Sequence, residues 1–137
     1  MRVFADVVDA GGCEDGQGFA KAIGGVCFHS KTLRHDIKIV KTHGTGTESN
    51  NKAEKTAILG SGLKDFVATS YKQKIGHTMG VSGLLETCLL LDDIKNGFVP
   101  GIENRTQEDD VFLSQDTDVG KEVNILSLAA GMGNVYS

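Results

Sequence analysis

The sequence predicts an α/β protein, a layered sheet with flanking helices. Three observations lead there. Short β-like runs alternate with helical stretches along the chain. Glycines gather at the boundaries between them. Two His-Gly pairs, His43-Gly44 and Gly76-His77, each follow a β-like run and precede a helical one. In an α/β sheet, a side chain leaving the C-terminal end of a strand faces the crevice where ligands bind.

The elements follow in order. Residues 2–9 read as a strand through Val3, Phe4, Val7 and Val8, and residues 11–18 as a polar, glycine-rich loop. Phe19, Ile23, Val26 and Cys27 recur at helical spacing, giving an amphipathic helix over 17–30 that Gly24-Gly25 weakens. Residues 36–41 form a short buried strand (Ile37, Ile39, Val40) that ends at Thr42-His43. Residues 50–59 form a helix with Asn50 or Asn51 as its N-cap and Glu54 in its first turn. A second short strand, 66–70, ends just before Lys72. From 81 to 96, the set Leu84, Leu85, Cys88, Leu89, Leu91 and Ile94 predicts a largely buried helix, stopped by Gly97 with Pro100 beyond it. Residues 111–114 suggest a minor strand and 122–129 a strong one. Residues 131–133 turn into a final strand over 134–137 that looks cut short.

Composition bounds the function. At 137 residues the chain is one domain at most, long enough to bury a core. Its 18 glycines exceed the roughly ten expected at a usual share of about 7%, and they form no repeat. A net charge of −4 gives no electrostatic footprint for nucleic acid. No apolar run of about 18 residues and no basic-then-apolar leader occurs, so neither a membrane span nor a signal peptide is expected. Cys13, Cys27 and Cys88 are odd in number and widely spaced, which fits neither a disulfide framework nor a metal site. A reducing cytoplasm is the expected compartment.

The chemistry concentrates around the two histidines. A lone histidine is ordinarily a satisfied structural or surface side chain, but His43 and His77 share a strand end, a flanking glycine and a helix to follow. A nearby helix N-terminus disfavours imidazolium, and a neutral imidazole can donate one N–H to a developing oxyanion. Two such donors on one carbonyl oxygen make an oxyanion hole. Lys72, five residues before His77, reaches the same pocket and would depress both imidazole pKa values. Glu86 interrupts an apolar helix face: it lies either on a narrow polar stripe or buried against a cation, with Lys72 as the candidate partner. A zinc site lacks a third ligand at recognisable spacing, and Gly44-Thr45-Gly46-Thr47 does not match the spacing of known phosphate loops. Cys27 and Cys88 lie on apolar helix faces, and Glu14 and Asp15 flank Cys13, so none is a good nucleophile.

Taken together, THGTGTESNNKAE (42–54) and SYKQKIGHTMGVSGLLE (70–86) resemble the two signature blocks in the C-terminal half of β-ketoacyl synthases, the condensing enzymes of fatty-acid and polyketide synthesis. The likeness is dense over 37–104, where VPGIEN (99–104) is also similar, and looser over 2–11 and 127–134. The resemblance implies the C-terminal half of a thiolase-like αβαβα fold, a mixed sheet with flanking helices, commonly in a homo- or heterodimer. It implies that residues 1–137 are one incomplete β-ketoacyl-synthase domain whose nucleophile half lies elsewhere. It further implies that His43 and His77 stabilise the enolate of a decarboxylating malonyl thioester, Lys72 orients the site, and Glu86 pairs with Lys72. Thr45 and Thr47 support the site. No cofactor and no metal are implied. The partners would be an acyl carrier protein bearing acyl or malonyl thioesters and the missing N-terminal half. The alternative is a non-catalytic, chain-length-factor-like subunit of a heterodimer.

The chain departs from the family pattern in two places. Glu48-Ser49-Asn50-Asn51-Lys52 stands where a Pro-Leu-Gly-Asp-Pro run is common. Ala130 stands where a bulky aromatic residue usually gates the nucleophile. The chain is therefore expected to be a divergent member that does not complete a condensation alone.

Overall fold

The computed structural model describes residues 8–9, 17–102, 113, 115–120, 122–131 and 135–136. Strand β1 (Val8–Asp9) is followed by helix α1 (Gln17–Ser30), β2 (Ile37–Lys41) and α2 (Glu48–Gly60). Then come β3 (Val67–Thr69), the single helical turn α3 (Lys72–Ile75) and α4 (Ser82–Lys95). The remaining strands are β4 (Phe98–Val99), β5 (Thr117–Asp118), β6 (Asn124–Ser127), β7 (Ala130–Gly131) and β8 (Val135–Tyr136).

β2 is apolar on both sides, and for that reason it sits in the middle of a parallel sheet ordered β3-β2-β6. An irregularity between Ile37 and Ile39 in the pairing with β6 resets the alternation. Ile37 and Val40 then face one side, where Phe19 and Ile23 of α1 and Ala57 and Ile58 of α2 cover them. Ile39 faces the other side and packs with Leu90 and Ile94 of α4. The result is three layers, two helices on one face and α4 on the other. Beyond β3, Leu113 donates its N–H to the Ala68 carbonyl and accepts from Ile102, extending the sheet edge. Antiparallel pairings occur in two smaller sheets, β1-β8-β7 and β4-β5.

Several sequence expectations need correction. α2 starts at Glu48 with Thr47 at its N-cap, so neither Asn50 nor Asn51 caps it. Asn50 instead donates its side-chain amide to Glu54 at 2.7 Å, and Glu54 lies in the second turn rather than the first. The helix expected over 17–30 is α1 with the same bounds, so Gln17 and Gly18, where the expected loop overlapped it, are helical. The strand expected over 66–70 is confined to Val67–Thr69, and that over 122–129 to Asn124–Ser127. Of the minor strand expected over 111–114 only Leu113 is described, paired by its backbone but not in a strand. Gly131 belongs to β7 rather than to a turn. Residues 2–7, 11–16 and 132–134 lie outside the described residues, as does Cys13.

The largest difference concerns α4. Its buried stripe is Ser82, Glu86, Leu90 and Ile94, spaced four apart. Leu84, Leu85 and Cys88, expected in the core, are exposed, Leu84 to 69%. Met79 and Val81 in the turn before α4 are exposed as well. The helix is apolar on two sides, and this sheet covers one of them. An uncovered apolar face of this kind favours association. Expressed alone, the chain is expected to run larger than a monomer in sedimentation velocity. A Leu84→Glu/Leu85→Glu double variant is expected to shift it toward monomer without loss of helix signal.

Candidate active site

Three chain segments converge at the C-terminal edge of the parallel sheet. β2 continues past Lys41, where the Thr42 N–H donates to the Thr69 carbonyl at 2.9 Å. β3 runs through Ser70 and Tyr71 into α3. β6 runs through Leu128, whose N–H donates to the Lys41 carbonyl at 2.8 Å. The edge therefore collects His43, Lys72 and the Ala129–Ala130 backbone from separate loops, as the sheet's connectivity requires.

The turn after β2 is held from below by α2. Glu54 accepts the backbone N–H groups of His43 (2.5 Å) and Gly44 (2.8 Å), with Asn50 on the same carboxylate. Burial raises the Glu54 carboxyl above its usual value, while these bonds and the Lys41 charge oppose the rise. Gly44 has φ +57, and a Cβ there would lie 2.6 Å from Cβ of Ser70. Only glycine allows this turn and so close an approach.

His43 is buried and His77 exposed, yet their rings stand edge to face with centroids 5.7 Å apart. The Ala130 N–H donates to Nδ1 of His43 at 3.2 Å. The Met79 N–H donates to Nδ1 of His77 at 3.0 Å, and Met79 itself takes the uncommon φ of 56°. An Nδ1 that accepts a hydrogen bond leaves the proton of a neutral ring on Nε2. Each ring is thus fixed by a backbone donor as an Nε2–H tautomer. The His43 pKa is lowered to about 4, first by burial and then by the charges of Lys72 and Lys41. Burial leads here, where the sequence suggested the helix end.

Lys72 opens α3 and is buried. Its Nζ donates to the His43 carbonyl at 2.5 Å and to Oε1 of Glu86 at 2.6 Å. Of the two alternatives for Glu86, the structure has the second: a fully buried carboxylate on a cation. A second cation also reaches it, Lys41, whose Nζ lies 3.2 Å from Oε2 with both side chains fully buried. Ser82 donates to Oε1 as well. Burial alone would raise the Glu86 carboxyl, but the Lys72 and Ser82 bonds and the two ammonium charges hold it below the usual carboxylate value.

Gly44, Thr45, Lys72, Gln73 and His77 line a cavity of ≈ 210 Å³ at this edge. Thr45 is exposed and shares a 3.2 Å hydroxyl contact with Thr47, which is also exposed. Sequence reasoning missed Lys41, Glu54 and Ser82. A signal existed for two of them: Lys41 falls on the Ile39 face by period 2, and Glu54 lines up with Ala57 and Ile58 at helical spacing. The Cys27 thiol is raised by burial, and Cys88 is exposed. Among the described residues no group of three or more His, Cys, Asp or Glu side chains is placed to hold a metal ion, and no helix is long and apolar enough to cross a membrane.

Comparison with known proteins follows the same lines. The family model for the "Beta-ketoacyl synthase, C-terminal domain" matches residues 9–106. The tetracenomycin polyketide synthase ketoacyl synthase alpha subunit of Streptomyces glaucescens is 29% identical over 130 residues, covering 90% of this chain and 30% of that protein. A non-reducing polyketide synthase of Emericella nidulans is 39% identical over 70 residues, covering 47% of this chain and 3% of that protein. Among solved structures, a type II polyketide synthase acyl carrier protein in complex with its ketosynthase matches with a TM-score of 0.80 at 20% identity, covering 95% of this chain and 35% of that one. The ishigamide ketosynthase/chain length factor matches at 0.75 and 23% identity, covering 89% and 32%. The chain spans less than a third of the length of the Streptomyces relative.

The low His43 pKa has a thermodynamic consequence. Between the ordinary imidazole value of 6.5 and the folded value of about 4, the unfolded chain binds the extra proton and the folded one does not. The stability due to neutral His43 is present above pH 6.5 and lost as pH falls through about 4. Urea midpoints are expected to decline over that window, and less steeply in His43→Asn than in the unsubstituted protein.

Proposed function

The chain belongs to the family of β-ketoacyl synthase C-terminal domains, and from that premise we propose that it supplies the decarboxylation half of a polyketide-type condensing site. Residues 1–137 would act as one incomplete domain, with the acyl-accepting nucleophile contributed by the rest of the synthase. The observation that carries the reading is the pair of Nε2–H tautomers. Two imidazoles from separate loops, each pinned through Nδ1 by a backbone N–H, stand 5.7 Å apart beside a cavity that Lys72 helps to line.

Their chemistry fits one step. A malonyl thioester seated in the cavity presents its carbonyl oxygen to the two donors. The bond to the carboxylate breaks, carbon dioxide leaves, and the electron pair becomes an enolate whose oxygen accepts both Nε2–H groups. The enolate carbon then attacks the acyl thioester on the nucleophile, the thiolate departs, and a β-ketoacyl thioester results. Lys72 braces the turn through the His43 carbonyl, and Glu86 holds Lys72. Thr45, on the cavity wall, and Thr47, bonded to it, suit the polar arm of a carrier-bound substrate. A carrier protein bearing these thioesters is therefore the partner, as in the ketosynthase–carrier complex whose fold the chain shares.

A non-catalytic, chain-length-factor-like subunit is the competing reading, since a ketosynthase/chain length factor also shares the fold. The tautomer-fixed pair of histidines weighs against it, because a purely structural subunit has no use for two neighbouring imidazoles each held as an N–H donor beside a cavity.

In the complete synthase, His43→Ala and His77→Ala are each expected to slow malonyl decarboxylation roughly 10²–10³-fold, about 2.7–4 kcal/mol, the usual worth of one oxyanion donor. Acylation of the nucleophile, followed by mass spectrometry of the intact protein, is expected to persist in both. Decarboxylation at the unsubstituted rate in both variants would overturn the reading.

A further inference from the structure

Lys41 is a fully buried lysine that the proposed reaction does not use. It is the last residue of β2, the middle strand, with Thr69 of β3 and Ser127 of β6 as its register partners. Alternation along β2 turns it to the same face as Ile39, toward α4, where it meets Oε2 of Glu86 at 3.2 Å. An ammonium group at this depth is costly, and an apolar side chain of similar length would suit the sheet better unless the charge serves a purpose.

The geometry supplies one. Glu86 has two oxygens, and they are divided: Lys72 and Ser82 take Oε1, and Lys41 takes Oε2. The torsion of a glutamate carboxylate is soft and roughly two-fold. With Oε2 unheld, the carboxylate can turn, and Lys72 then loses the anchor that sets its Nζ against the His43 carbonyl. We propose that Lys41 is a positioning residue, which locks the Glu86 carboxylate so that Lys72 stays fixed beneath the His43–Gly44 turn. Lys41 does not line the cavity, so it acts through Glu86 and not on the substrate.

Its charge acts as well. The groups that face this cluster are Lys72 from α3, Glu86 from α4, Glu54 from α2, His77 from the loop after α3, and Lys41 and His43 from β2 and its extension. Two lysines oppose two glutamates, and both lysines disfavour a proton on His43. Protonation at Nδ1 would set that N–H against the Ala130 N–H and displace the ring. Lys41 thus helps to keep His43 in its donor tautomer at low pH.

This inference rests on the decarboxylation reading, and the test separates the two. In the complete synthase, malonyl decarboxylation is measured from pH 5 to pH 9 (on the order of the range in which carboxylate, imidazole and ammonium groups titrate) for the unsubstituted protein, Lys41→Met, Lys41→Gln and His77→Ala. Lys41→Met is expected to lower kcat about tenfold or more with KM retained, as for a misplaced catalytic group. Its acid limb is expected to move to higher pH, so that its activity at the acid end, relative to its own plateau, drops by a further factor of about three or more. Lys41→Gln keeps a donor without the charge. It is expected to recover most of the lost kcat while retaining the displaced acid limb, which also serves if the Met variant fails to fold. An acid limb and kcat that match the unsubstituted protein in Lys41→Gln and in any folded Lys41→Met overturn the Lys41 role alone, provided His77→Ala is impaired. Unimpaired His77→Ala, or no decarboxylation by the unsubstituted protein, overturns both.

Discussion

A carboxylate shared between two buried ammonium groups sets the geometry of this domain's polar edge. Glu86 sits in the buried stripe of α4, against the middle strand of the sheet, where a lone charge would be prohibitively expensive. It is tolerated because Lys41 arrives from β2 and Lys72 from α3, with Ser82 one helical turn away. The same bonds tie β2, α3 and α4 together at one point. Lys72 then passes the constraint on to the His43 carbonyl, which is already part of the turn that carries the imidazole.

A second carboxylate works on the opposite side of the sheet. Glu54, on α2, accepts the N–H groups of His43 and Gly44 and so satisfies backbone donors that no strand partner serves. The His43–Gly44 turn is therefore gripped at its carbonyl from the α4 side and at its amides from the α2 side. Glycine at φ +57 lets the chain make that turn in contact with Ser70. The imidazole itself is fixed from a third direction, by the Ala130 N–H beyond β6. In the proposed reading, this preorganisation suits a donor to a developing oxyanion, since the site does not have to rearrange as charge appears.

The helix that carries Glu86 also has a second side that this sheet leaves uncovered. Its sheet-facing stripe is half polar and half apolar, while Leu84, Leu85 and Cys88 on the other side remain uncovered beside Met79 and Val81. That apolar face adjoins the His77 loop. In the proposed reading, the surface that joins the missing half and the surface that bears the histidines are neighbours, so a nucleophile from that half has a short path to the site.

The sequence by itself determined the layered α/β plan, because β2, β3 and the helices alternating with them carry the two hydrophobic periods directly. It also singled out His43, Lys72 and His77 as one group, because they stand at strand ends with glycines at the turns, and it narrowed Glu86 to two environments. Local pattern went no further. Whether Glu86 was solvated or buried, and that Lys41 was its second partner, depended on β2 and α4 meeting face to face across 45 residues of chain. Asn50 reads as a cap by propensity, yet its amide is drawn to Glu54 because that carboxylate is itself held by the turn above it. α4 reads as a core helix because its apolar residues run nearly all round it, and only the sheet decides which side is covered. The β4–β5 pair escaped notice because two-residue strands carry no period at all. Periodicity and turn chemistry are local and survive in one dimension; the pairing of buried charges is a property of the packed layers and appears only when they meet.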